Sequence, residues 1–319
     1  MRFLVTGANG FVGRLLCAEL PGKGHMVRAA VRSPAQLPDG VEVIAVGNIN
    51  GDTDWLKALA GVDVVIHLAA RVHVMKDTAA DPLAEFLRVN LRGTENLAQQ
   101  AARAGVKRLV YASSIKVNGE QTGKTQRFAE SDAANPQDPY GVSKWQAEQA
   151  LRRIARDTGL EVAILRPPLV YGPGVKGNFI SLFAAVDKRI PLPLAGACNA
   201  RSLVYAGNLV DALITCATHH AAAGQTYLVS DGADVSTALL VTKIAEALGR
   251  KNSSFYFPPG WLRVAATMLG RSEQVDRLFG SMRVNDAKIR SELAWVPPYT
   301  LEQGLRATAE WYRNRPKRR

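Results

Sequence analysis

A chain of 319 residues, 47% hydrophobic and 21% charged, is long enough for one large domain or two modest ones with a buried core. No apolar run reaches membrane-spanning length, and the opening MRFLVTGANG reads as a strand and glycine turn rather than a secretion signal, so a cytoplasmic protein without an integral membrane segment is expected. The formal net charge of +12 favours anionic partners, but no helix-turn-helix or aromatic-basic pattern argues for nucleic acid, and three cysteines without short spacing exclude a disulfide framework or zinc site in favour of buried free thiols.

Short apolar, β-branched runs alternate with helical spacing through the first half. Arg2–Val5, Met26–Val31, Val41–Val46, Val62–His67, Lys107–Ser113 and Glu161–Arg166 read as buried strands, whereas Phe11–Leu20, Glu85–Ala104 and Tyr140–Asp157 repeat apolar residues at helical intervals. The alternation predicts an α/β fold, a doubly wound parallel sheet with helices on both faces, whose ligands lie at the carboxyl ends of the strands. The second half is rich in proline and mostly helical: Asn208–His219, Ser236–Leu248, Trp261–Leu269, Asp286–Leu293 and Leu301–Arg313, with one strand at Thr226–Val229 returning to the main sheet. Thr300 with Gln303 has the pattern of a capping box. The expected division is a dinucleotide-binding part over 1–170 plus about 203–232, and a smaller, mainly helical substrate lobe over about 171–202 plus 233–319.

Gly7, Ala8, Asn9, Gly10, Phe11, Val12 and Gly13 stand between a strand and a helix. There, bare glycines allow close approach of a pyrophosphate and the helix start offers free N–H groups. At the end of the second strand a carboxylate would hold both ribose hydroxyls of NAD, whereas an arginine accommodates the extra phosphate of NADP. No acid occurs between Glu19 and Asp39, while Arg28 and Arg32 lie on or just after that strand. Arg32 is the candidate for the 2′-phosphate, so NADP(H) is favoured over NAD(H).

Tyr140 and Lys144 are one helical turn apart, on a helix that Asp138 would cap. A free phenol titrates near ~10 and is a weak base at neutral pH, but a neighbouring ammonium and the positive charge of an oxidised nicotinamide would bring it toward the working range. Ser114 ends a strand in Tyr-Ala-Ser-Ser, where its hydroxyl can orient the same substrate oxygen. Ser114, Tyr140 and Lys144 are therefore the expected catalytic set, with the tyrosine exchanging a proton with a substrate oxygen while a nicotinamide exchanges hydride with its carbon.

Val-Thr-Gly-Ala-Asn-Gly-Phe-Val-Gly, Ile66-His67-Leu68-Ala69-Ala70, Val89-Asn90 with Gly93-Thr94, Ser113-Ser114, Tyr140-Gly-Val-Ser-Lys144 and Arg166-Pro167 together resemble the extended short-chain dehydrogenase/reductases, in the NAD-dependent epimerase/dehydratase branch that acts on nucleotide sugars. The resemblance spans nearly the whole chain and implies a Rossmann-type sheet. It implies that Leu68, Ala69 and Ala70 line the cofactor cleft, with Asn48, Ile49 and Pro167 also against the cofactor. Asn48 stands where many relatives carry an adenine-binding aspartate. It further implies that Asn178 and Arg201 contact the diphosphate of a UDP-sugar. Asn118 replaces a tyrosine common in epimerases, and Ser202 an aspartate. Relatives often dimerise through a four-helix interface, which Glu85–Ala104 and Tyr140–Asp157 would supply in a homodimer.

Dehydratases of this branch carry an Asp-Glu pair directly after the catalytic hydroxyl; here those positions are Ile115 and Lys116, which argues against dehydration. Ala70 to Met75, Ser114 to Glu120 and Arg166 to Gly174 resemble reductases of UDP-4-keto-6-deoxy-N-acetylhexosamines, which make UDP-N-acetylquinovosamine for surface polysaccharide biosynthesis. That likeness would place Lys116, His73 and Met75 at the sugar. NADPH-dependent reduction of such a 4-keto group is the favoured expectation, and UDP-hexose 4-epimerisation with tightly bound NAD is the alternative. A small-molecule ketoreductase and a nicotinamide-binding sensor without chemistry stay open below these.

Overall fold

Alternation of buried residues along the first strand sets the architecture. In β1 (Arg2–Thr6), Phe3 and Val5 face one side of a sheet and Leu4 the other, and all three are fully buried, so both faces must be covered. The computed structural model describes residues 1–72, 81–123, 125–258, 260–261 and 278–315. Its main sheet has seven parallel strands in the order β3-β2-β1-β4-β5-β6-β9, comprising β2 (Met26–Val31), β3 (Val41–Ala45), β4 (Val64–His67), β5 (Arg108–Ala112), β6 (Glu161–Arg166) and β9 (Thr226–Leu228). Order reverses between β1 and β4, where Thr6 is paired with His67, the carboxyl edge at which sheets of this kind take their ligands.

One face is covered by α1 (Phe11–Gly22) and α7 (Ala206–Thr218), through Leu16, Cys17, Leu20, Leu209 and Leu213 against Phe3, Val5 and Ile66. The other is covered by α4 (Gly93–Arg103) and α5 (Pro139–Thr158), whose Leu97, Ala101, Ala147 and Leu151 meet Leu4, Val65 and Leu109. Short α2 (Leu56–Leu59) lies beside α4. The helix expected over Glu85–Ala104 is interrupted. It begins as α3 (Pro82–Phe86), widens into a π turn at Leu87–Arg92, and resumes as α4. The wide turn carries Asn90 into the interior, where 1% of its surface stays exposed.

The remaining elements form a lobe with its own core. Phe179 and Phe183 of α6 (Asn178–Asp187), Leu240 and Ile244 of α8 (Thr237–Leu248), and Leu305 and Tyr312 of α10 (Leu301–Asn314) pack together with Tyr171 and Leu203. This lobe also contains a three-stranded sheet, β10-β8-β7, that the sequence reading did not foretell: β7 (Leu169–Tyr171) and β10 (Asp234–Val235) are too short for alternation to register, and β8 (Arg201–Tyr205) lies between them. The chain from α7 through β9 returns to the main sheet, and α9 (Ala287–Leu293) packs against β9. Thr300 forms the expected capping box with Gln303 at the start of α10. The helix expected over Trp261–Leu269 falls, apart from Trp261 itself, outside the described residues.

Candidate active site

At the end of β1 the backbone turns on Gly7, which holds φ +66, and α1 starts at Phe11 behind Gly10. A Cβ on Gly7 would stand 2.8 Å from the Ala69 amide nitrogen, and one on Gly13 only 2.2 Å from the Gly7 carbonyl oxygen. The glycines therefore bring the β1 and β4 loops into contact and seat α1 on the turn. Gly10, the residue before the helix, has no side chain to cap it, so the first N–H groups of α1 are left without a side-chain cap at that edge. Asn9 and Gly10 are exposed, Phe11 and Val12 half-buried. Thr6 braces the opposite wall: its hydroxyl accepts from the Ala69 N–H at 3.1 Å and bonds His67 Nδ1 at 2.6 Å. The other ring nitrogen of His67 meets Thr94 Oγ1 at 2.9 Å, and burial pushes the imidazole down to about 3, so it is a neutral strut.

Such a bare, donor-lined cradle fits a dinucleotide pyrophosphate. The other residues expected around it are distributed as follows. Arg32 is exposed just past β2, with no carboxylate nearby in sequence; Arg28 is instead buried, its guanidinium paired with Glu42 at 2.9 Å and bonded to the carbonyls of Ala58 and Ala60, so it braces α2. Asn48 is exposed, and its carbonyl accepts from Thr53. Ile49 lies against Gly93, where a Cβ would meet its Cγ2 at 2.6 Å. Leu68 and Ala70 are half-buried along the β4 loop, and buried Pro167 accepts the Ile115 N–H at 3.0 Å.

Next to this cradle, α5 begins at Pro139 with Asp138 as its cap, accepting from the Gly141 N–H at 2.6 Å. In its first turn, Tyr140 lies near the hydroxyl of Ser114, close enough to favour the phenolate; Ser114 follows β5 and caps the 3-10 turn Ile115–Val117. Lys144 is 2% exposed; its ammonium donates to the Ala112 carbonyl at 2.6 Å and sits 4.1 Å from the centroid of Tyr111. The sequence led us to expect a phenol acidified by this lysine. The structure corrects that: burial raises Tyr140 to about 12, opposed by the Ser114 hydroxyl and assisted by Asp138, while burial lowers Lys144 to about 7. Both shifts disfavour the charged form, as desolvation requires. The lysine still titrates near neutrality, beside the buried carboxylate of Glu148, which favours its charged form.

Glu148 and Asn90 organise this region and were not singled out as site residues from sequence. Glu148 is fully buried two turns along α5. It accepts from Ser113 Oγ at 2.6 Å and, in a two-pronged ion pair, from Arg166 at 2.9 and 2.6 Å; Arg166 in turn donates to Asn118 at 3.0 Å. Asn118, the departure from the epimerase pattern, is thus a buried acceptor that ties the turn after Ser114 to β6. Asn90 clamps the loop after Ala70 by exchanging bonds with Arg71 at 2.8 and 3.0 Å, and also donates to Ser143 Oγ. The run of Tyr140, Lys144 and Glu148 at four-residue spacing was the available signal for the acid, and the inward Asn90 depends on a π turn that no period in the sequence marks.

The other expected residues are further apart. Lys116 is not free: it pairs with Glu120 at 3.0 Å and with Asp138. Asn178 opens α6 and is exposed. Arg201 starts β8, donates to the Gly280 carbonyl at 3.0 Å, and is shifted downward by burial. His73 and Met75 lie outside the described residues. Cys17 and Cys216 are buried, but Cys198 is exposed, contrary to the expectation for all three. Among the described residues no group of His, Cys, Asp or Glu is placed to hold a metal, and no helix is long and apolar enough to cross a membrane.

This site has relatives. The profile of the NAD dependent epimerase/dehydratase family matches residues 3–230. The chain belongs to that family. Membership makes it an enzyme of the extended short-chain dehydrogenase/reductase type, in accord with the parallel sheet. Over 309 residues this epimerase/dehydratase-family chain is 45% identical to a UDP-glucose 4-epimerase of Vibrio cholerae, covering 96% of this chain and 94% of that one. A UDP-glucose 4-epimerase of Mycolicibacterium smegmatis is 30% identical over 334 residues, covering 99% of each. Among solved structures, MoeE5 in complex with UDP-glucuronic acid and NAD is 30% identical with a TM-score of 0.79, covering 98% of this chain and 99% of MoeE5.

Proposed function

We propose that this enzyme is an NAD-dependent 4-epimerase of UDP-hexoses. The observation that carries the chemistry is the gathering of Ser114 and Tyr140 at the start of α5, one helical turn from buried Lys144. The 45% identity to a UDP-glucose 4-epimerase over almost the entire chain favours this reaction over the 4-keto reduction that the sequence motifs put first. Gly7, Asn9, Gly10, Phe11, Val12 and Gly13 hold the pyrophosphate of NAD, with Asn48 and Ile49 toward its adenosine half. Leu68, Ala69, Ala70 and Pro167 line its path toward Tyr140 and Lys144. Bound NAD supplies a reversible acceptor for the hydrogen on the sugar's C4.

In this reading Tyr140 takes the proton of the C4 hydroxyl and later returns it, so it must pass through the phenolate. Ser114, beside that phenol, bonds the sugar oxygen as the proton moves. Burial raises the phenol, so Lys144, where it is protonated, together with the positive charge of the oxidised nicotinamide, brings the phenolate within reach. Burial has set its own titration near neutrality, so small changes around it govern whether that charge is present. Asn178 and Arg201, on the lobe side, take the UDP diphosphate. The part of the chain over 1–170 and about 203–232 binds the dinucleotide, and the remainder binds the sugar nucleotide.

A second reading, reduction of a UDP-4-keto-6-deoxy-N-acetylhexosamine by NADPH, rests on exposed Arg32 at the ribose end of the cleft and on the missing acid after β2. Incubation with UDP-galactose and NAD, followed by NMR, tests the first; the 4-keto sugar with NADPH, followed by absorbance, tests the second. Conversion of UDP-galactose to UDP-glucose by the wild type, lost by more than about a thousandfold in Tyr140→Phe with NAD affinity nearly kept, is the expected result. Full activity in that variant overturns the assignment. If the reductase reading holds instead, Arg32→Asp weakens NADPH far more than NADH.

A further inference from the structure

Two residues from Tyr140 lies a carboxylate that the proposed chemistry does not use. Asp138 caps α5 with one oxygen, on the N–H of the residue that follows the tyrosine, and points its other oxygen at the Lys116 ammonium. Lys116 is held there from the opposite side by Glu120 at 3.0 Å. Its own backbone is pinned as well: its N–H donates to Ser114 Oγ, and its carbonyl lies where a Cβ on Gly141 would come within 2.9 Å. The lysine is thus fixed to both the serine and the first turn of the tyrosine's helix, and its side chain keeps 29% of its surface.

We propose that Lys116 is a positioning residue for proton transfer: by neutralising Asp138 it prevents the helix-capping carboxylate from acting as a free negative charge on the Tyr140 phenol. This rests on the reading of Tyr140 as the acid/base. A carboxylate at the helix start suits the cap and the helix dipole, but it opposes phenolate formation next door. A cation on its outward oxygen reduces that conflict while the inward oxygen keeps the cap. Asp138 is indeed the charge that raises the phenol, after burial itself.

The other groups around the phenol are accounted for. From α5 come Lys144 and, two turns away, Glu148, which is neutralised by Arg166 and Arg152. From β5 and its end come the Tyr111 ring and Ser114, and from α3 the edge of Phe86 at 6.1 Å between centroids, with Arg71 stacked on Phe86 at 5.4 Å. Among the described residues that leaves Asp138, with its partners Lys116 and Glu120, as the anionic side of the site.

The test is a cycle of Lys116→Met, Asp138→Asn and the double variant, with Lys116→Arg as the conservative control. Each is read as the pH dependence of kcat with saturating UDP-galactose and NAD, and by ultraviolet phenolate titration against Tyr140→Phe. Asparagine still caps a helix, so α5 stays in place. In Lys116→Met the limb that rises with pH moves up by about one unit, so kcat at neutral pH falls about tenfold while KM stays within about twofold. Asp138→Asn restores the limb in the double variant and by itself moves it down; Lys116→Arg keeps it at the wild-type position. An unmoved limb in Lys116→Met, no restoration in the double variant, or a change in KM alone overturns the proposal, the last by making Lys116 a sugar contact. Should Lys116→Met not fold, the downward shift in Asp138→Asn decides, and its absence counts against the idea. Full activity of Tyr140→Phe is a separate result that removes the acid/base reading itself.

Discussion

Buried charge is the most costly component of the site, and Glu148 carries most of it. Its carboxylate holds Arg166, which is 2% exposed, together with Ser113 at the end of β5. Glu148→Ala strips the counter-charge from an arginine that water cannot reach, for an expected loss of about 3–5 kcal/mol in a urea titration. Loss of less than about 1 kcal/mol would mean that Asn118 alone suffices as partner for the guanidinium. At this scale the sequence was informative wherever a residue's role follows from its type and spacing. The glycines, Ser114, Tyr140 and Lys144 could be gathered before any coordinates, and the structure sets the glycines at the end of β1 and Ser114, Tyr140 and Lys144 around the start of α5. It misled where the environment decides. The direction of the Tyr140 shift depends on how much water is excluded, and Lys116 is occupied by Glu120 and Asp138, which lie four and twenty-two residues away.

Among elements, the turn from β1 into α1 has the least tolerance. A side-chain carbon on Gly13 would collide with backbone at 2.2 Å from the Gly7 oxygen and 2.8 Å from Ala8 Cα, and backbone cannot step aside as a flexible side chain can. Gly13→Ala is therefore expected to destabilise the fold by about 2–3 kcal/mol and to abolish NAD binding, read by thermal melting and by fluorescence titration of the dinucleotide. Gly22, at the other end of the same helix with nothing within 4 Å, is the control: Gly22→Ala is neutral or slightly stabilising. Wild-type affinity in Gly13→Ala would contradict the close approach of helix and strand. The long, periodic elements were readable because burial on two faces imposes runs of β-branched residues and helical spacing. The small sheet β10-β8-β7 and helix α6 were not. Strands of two and three residues such as β10 and β7 carry no usable alternation, and β8 and α6 were missed although α6 buries Phe179, Phe183 and Val186 at helical spacing.

Across the whole molecule, the three cysteines report on how the folded body opens. Cys17 in α1 and Cys216 in α7 are buried in the same core, and burial raises both thiols, Cys17 to about 12. Cys198, in the lobe, is exposed. A disulfide reagent at pH 8 is expected to modify one thiol rapidly and the other two only at the rate of unfolding, with NAD slowing the second phase in proportion to its saturation. Three equally fast thiols would show that α1 and α7 do not seal the sheet. Because the proposed dinucleotide cradle lies at the start of α1, the slow phase monitors cofactor and core together.

The π turn at Leu87–Arg92 has one more implication, for insertion and deletion. A wide turn is an ordinary helix with a single surplus residue, and the surplus here swings Asn90 inward to grip Arg71 and Ser143. Removing one residue from this stretch would let regular winding run unbroken from Pro82 to Arg103, while rotating that amide out toward solvent. The shortened protein would hold a straighter rod and a slack rim around its site, more regular locally and weaker in its grip on the ligand.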